Sequence, residues 1–99
     1  MSSLRLKSLV PQTLERMSSL DADKVLELRR EVLGNREEEQ QPLNTKDFTM
    51  KFSMKILRGI YSPSEIASWY RRYGCNDNHV LRLAIHCCAV KGWLYGCNR

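Results

Sequence analysis

Two helix-length segments with strong boundary signals, residues 62–74 and 78–92, constrain this chain more than any other feature. Ser62 can cap the first, Pro63 suits the first helical position because no backbone N–H is needed there, and Glu65 is spaced to complete a capping box. Ile66, Trp69, Tyr70 and Tyr73 recur at helical intervals and share one face, whereas Glu65, Ser68, Arg71 and Arg72 fall elsewhere. Gly74 can take the left-handed conformation that ends a helix, and Cys75, Asn76, Asp77 and Asn78 are turn and cap formers. The chain must bend there.

A second helix is predicted over Asn78–Lys91, with Asp77 as its cap and Gly92 beyond its end. Leu81, Ala84, Ile85 and Cys88 form its expected buried stripe, widened by Val80, Leu83 and Cys87, and Asn78, His79, Arg82 and His86 lie opposite. Asn can pair bidentately with adenine and Arg with guanine, so that opposite face has the chemistry of a base-reading surface. The plainer alternative is a solvated face, the default for any helix of a small domain.

Ser64-Glu65-Ile66-Ala67, the turn, Val80-Leu81-Arg82-Leu83-Ala84-Ile85 and Lys91-Gly92-Trp93-Leu94 together resemble the winged-helix branch of the helix-turn-helix family. The resemblance covers residues 62–94 only. It implies a supporting helix, then a recognition helix whose role falls on Asn78, His79, Arg82 and His86, then a first wing strand. Only Tyr95, Gly96, Cys97, Asn98 and Arg99 follow Leu94, and these are not expected to build a full two-stranded wing.

Charge is unevenly spread. Residues 1–45 hold 7 basic and 8 acidic side chains, a net −1, while residues 46–99 hold 9 and 3, a net +6. A positive field on the half that carries the helix pair favours an acidic partner: nucleic acid (DNA or RNA), an anionic surface or an acidic protein. The expected phosphate anchors are Lys51, Lys55, Arg58, Arg71, Arg72 and Lys91.

Residues 47–61 fit two periodicities. Phe48, Met50, Phe52, Met54 and Ile56 alternate with polar residues as in a half-buried strand, yet Phe48, Phe52, Ile56 and Ile60 also keep a spacing of four. Helix is the preferred reading, with Asn44 or Thr45 as cap and Gly59 near its end, because a lone strand has no evident partner. Further upstream, Pro11 is expected to open a helix through Leu20 bearing Leu14 and Met17, and Asp21 to cap another bearing Val25, Leu26, Leu28, Val32 and Leu33 and ending at Gly34. That stripe either closes the protein's own core or forms a homodimer seam. Residues 35–45, which include Glu37-Glu38-Glu39, read as an acidic polar linker.

Cys75, Cys87, Cys88 and Cys97 crowd the last quarter of the chain, and the vicinal pair falls inside a helix. Reduced, buried thiols fit that arrangement better than a disulfide framework. Cys75, His79, His86 and Cys97 have the donor types for zinc, but no two cysteines have Cys-x-x-Cys spacing, so no metal or cofactor is expected. A Cys75–His79 pair lacks an orienting group, which makes catalysis the weaker class.

The sequence also lacks a run of about 20 apolar residues, so no membrane span is expected, and an intracellular location, cytoplasmic or nuclear, is. The expectation is a single all-α domain of four or five helices with a helix-turn-helix-like C-terminal half. It is expected to be non-enzymatic and to bind nucleic acid in a regulatory or accessory role, as a regulator of transcription or an accessory protein of a virus or mobile element does. The rival is a protein-interaction adaptor presenting Trp69, Tyr70, Trp93 and Tyr95 as an aromatic surface.

Overall fold

The computed structural model describes residues 2–34 and 44–94, with side chains from residue 8 onward. Five α-helices account for nearly all of them: α1 (Ser2–Met17), α2 (Ala22–Leu33), α3 (Thr45–Ile60), α4 (Pro63–Tyr73) and α5 (Asp77–Lys91). Among the described residues there is no strand. The long helices α3 and α5 pack together, α1 lies on α5, α2 lies on α3, and α4 is seated on α1. One apolar cluster runs through all five helices and on to Leu94. The fold is therefore the all-α bundle expected, with linker residues 35–43 and Tyr95–Arg99 outside the described part.

Local signals fix most boundaries. The Asp21 side chain accepts from the Lys24 N–H at 2.8 Å to start α2, and Asn44 accepts from the Lys46 N–H at 2.9 Å to start α3. At α4 the capping box is complete, with the Ser62 N–H donating to Glu65 Oε1 at 2.9 Å and the Glu65 N–H donating to Ser62 Oγ at 3.2 Å. Gly74 ends α4 at φ 67°, a left-handed value that a side chain would strain.

Three expectations are corrected. Pro11 lies inside α1 instead of opening it, and the helix stops at Met17. A proline there removes one backbone donor. However, Leu9, Thr13 and Met17, four apart, form a buried row that continues straight through it. The cap of α5 is Asn76, not Asp77, so the connection after α4 is three residues long. The buried face of α5 is also rotated: Val80, Leu83, Ala84, Cys87 and Cys88 are buried, while Leu81 and Ile85 are only half-buried. Two neighbours, α1 and α3, cover this helix and select the face.

Helix α3 resolves the competing periodicities. Phe48, Phe52 and Ile56 are buried in one row, with Phe48 and Phe52 stacked at 5.6 Å, whereas Met50 stays 36% exposed and Met54 half-exposed. In α2, Val25 and Leu28 are buried in the same core, so the stripe closes the protein's own interior. Leu26 points away and is 50% exposed.

Buried beside the phenylalanine row, Thr49 Oγ1 and Ser53 Oγ have no hydrogen-bond partner among the described residues. An unpaired buried hydroxyl costs about 1–3 kcal/mol, so Ser53→Ala is expected to raise stability by about 1 kcal/mol in urea denaturation. A loss of similar size would mean that the hydroxyl is satisfied. Thr13 is the contrasting case, since its Oγ1 lies 3.1 Å from Tyr61 Oη. Tyr61 in turn meets Trp69 edge-on at 4.7 Å, and the Arg16 guanidinium sits 4.1 Å above the Tyr61 ring while pairing with Glu65 at 3.0 Å. This cluster seats α4 on α1 and buries Trp69, which removes it from the expected aromatic surface. Tyr70 and Trp93 are half-buried, and Tyr95 lies outside the described residues.

Candidate nucleic-acid interface

The ten residues singled out from sequence fall into three groups. Lys51, Lys55 and Arg58 are spaced by four and three along α3 and form one exposed row. Two of them are already engaged, Lys51 with Asp47 at 3.3 Å and Lys55 with Glu31 at 2.8 Å. The Lys55 ammonium holds the Glu31 carboxyl below the usual range. Arg58 has no carboxylate partner among the described residues, and its charge acts on the Tyr70 phenol. The Tyr70 hydroxyl donates to Asp77 Oδ1 at 2.7 Å, and that bond, followed by partial burial, raises its pKa.

Arg71 and Arg72 form the second group, exposed in the last turn of α4, where a helix C-terminus favours cations. The Arg72 guanidinium lies 6.0 Å from the Tyr73 ring.

The third group is on α5. Asn78, Arg82 and His86, four apart, share one exposed face, as the periodicity requires. That face continues into Ala89 and Val90, the latter 55% exposed. His79 leaves the group: its Nδ1 accepts from the Asn76 N–H at 3.3 Å while its own N–H donates to Asn76 Oδ1 at 3.1 Å. The imidazole thus closes the helix cap and is half-buried. Lys91 is also half-buried, with its ammonium 5.6 Å from the Trp93 ring.

The thiols lie inside. Cys75, Cys87 and Cys88 are buried, and burial pushes the Cys87 thiol up to about 11, partly offset by a hydrogen bond with Thr13. With Cys75 buried and His79 Nδ1 committed to the cap, the Cys75–His79 pair has structural rather than nucleophilic surroundings. Among the described residues no three His, Cys, Asp or Glu side chains converge on a metal-sized site, and Cys97 lies outside them. No described helix is long and apolar enough to cross a membrane.

Two features escaped sequence reasoning. Arg29 of α2 donates to the Trp93 carbonyl and sits 5.3 Å from the Phe48 ring, tying α2 to the segment after α5. An open groove of about 960 Å³ runs between α2, α3 and α5, with Met50, Met54 and Leu81 in its wall. The surplus of apolar residues in the alternating run of α3 was the available signal for that groove. Compared with models of known families, with curated proteins and with solved structures, the chain matches none.

Proposed function

We propose that this protein binds nucleic acid through its basic C-terminal half, with a regulatory or accessory role. The observation that carries this reading is the net charge of +6 over residues 46–99 together with four arginines there that are exposed among the described residues, Arg58, Arg71, Arg72 and Arg82. Guanidinium groups with no carboxylate partner among the described residues are suited to phosphate oxygens, which they can grip bidentately. In this reading Arg58, Arg71 and Arg72 anchor the phosphate backbone, while Asn78, Arg82 and His86 on α5 orient the protein against bases or sugars. Helix α5 is then the reading helix, as the helix-turn-helix likeness implies. Lys51 and Lys55 contribute less at first contact, since each must leave an exposed ion pair worth about 0–1 kcal/mol. His79 and Lys91 serve the fold more than the ligand.

The anchors and the reading face are separable by mutation. Arg71→Ala combined with Arg72→Ala is expected to weaken binding nearly uniformly across sequences and to reduce the salt slope by about 2, one for each phosphate that is no longer neutralised. Arg82→Ala is expected to cost about 1–3 kcal/mol on a preferred sequence and much less on others. Fluorescence anisotropy with labelled duplexes measures both. Parent-like binding by all of these folded variants would contradict the assignment.

A further inference from the structure

We propose that the groove between α2, α3 and α5 is a docking site for an amphipathic helix of a protein partner, with an apolar stripe flanked by a carboxylate at the Arg58 end. The floor is built from Val32, Met50, Met54 and Leu81. Three of these are half-buried and Met50 is 36% exposed, so no element among the described residues covers the strip, and its two methionines can conform to an occupant.

The rim decides the kind of occupant. Asp47 is paired with Lys51, Glu31 with Lys55, and Asp77 accepts from the Tyr70 hydroxyl. Arg58 is the rim cation left without a carboxylate partner among the described residues. A polyanion laid along the floor meets apolar side chains instead of cations, so a nucleic-acid backbone can reach Arg58 at the rim but does not suit the floor. A helix suits it better. Met50 and Met54 form one row on α3, and Lys51, Lys55 and Arg58 form a parallel charged row beside it. An occupant that matches both rows must itself present an apolar and a polar row at helical spacing, which is the helix-in-groove mode of recognition. From Met50 to Arg58 the wall is about 12 Å long at 1.5 Å per residue, enough for about two turns of a partner helix.

The test uses the intact protein and three fluorescein-labelled synthetic helical peptides: one with a leucine stripe and glutamate flanks, one with glutamine in place of the glutamates, and one with serine in place of the leucines. The glutamate–leucine peptide is expected to bind at least tenfold tighter than the serine peptide. Met50→Gln is expected to remove most of that advantage, with the circular dichroism spectrum and nucleic-acid binding of the parent retained. Arg58→Gln is expected to abolish the preference for glutamate over glutamine flanks. Equal binding of the leucine and serine peptides, or indifference of peptide binding to Met50→Gln, would each overturn the proposal. None of these outcomes depends on whether the arginines of α4 bind nucleic acid.

Discussion

Phe52→Ala is expected to lower the free energy of unfolding by about 3–5 kcal/mol, the range for removing a fully buried aromatic ring. Phe52 is 0% exposed, stacks on Phe48 and lies beneath the Arg29 guanidinium, so its loss removes packing between α2, α3 and the segment after α5. In a domain this small, such a loss is a large share of the total stability. Met50→Ala on the same helix is the control, because a side chain at the groove wall leaves little cavity behind; its expected cost is under about 1 kcal/mol. Urea denaturation of both variants checks the pair. Equal costs would mean that α3 presents a different face to the core.

Alkaline pH is expected to destabilise the fold through Cys87. Its thiol is 0% exposed, and burial raises its pKa from 9.0 to about 11. The unfolded chain therefore releases the thiol proton at lower pH than the folded one. For an acid whose folded pKa is raised, stability is intact below the unfolded value and falls as pH climbs towards the folded value, here between about 9 and 11. A pKa difference of that size corresponds to roughly 2–3 kcal/mol. Cys87→Ala removes this titration, so its stability is expected to fall less steeply with pH than the parent's over that window. Parallel curves would show that Cys87 is not desolvated in the folded state.

The parts of the fold legible in sequence were those that local chemistry dictates. Asp21, Asn44, Ser62 with Glu65, Gly34, Gly74 and Gly92 all act at helix ends within a few residues of their own position, and each was readable from type and spacing. Helix α5 was harder because apolar residues nearly encircle it from Val80 to Val90. Its orientation depends on α1 and α3 pressing from two sides, which no local period records. His79 carried two meanings, and the capping contact with Asn76 took precedence over the ligand-binding one. Trp69 read as surface only because its partner Tyr61 lies on the preceding turn and Thr13 and Arg16 come from the other end of the chain. The spacing of Asn78, Arg82 and His86 was sufficient to put them on one face. The groove, assembled from α2, α3 and α5, required the fold itself.

The central claim, that the basic half engages nucleic acid, is tested most directly by measuring the affinity of the intact protein for duplex DNA, duplex RNA and single-stranded RNA from ~50 to ~200 mM salt. With Arg58, Arg71 and Arg72 on phosphates, the logarithm of the binding constant is expected to fall linearly with the logarithm of salt concentration, with a slope of roughly −3 on duplex DNA. No binding at the lowest salt, or a slope near zero on all three ligands, would contradict the account.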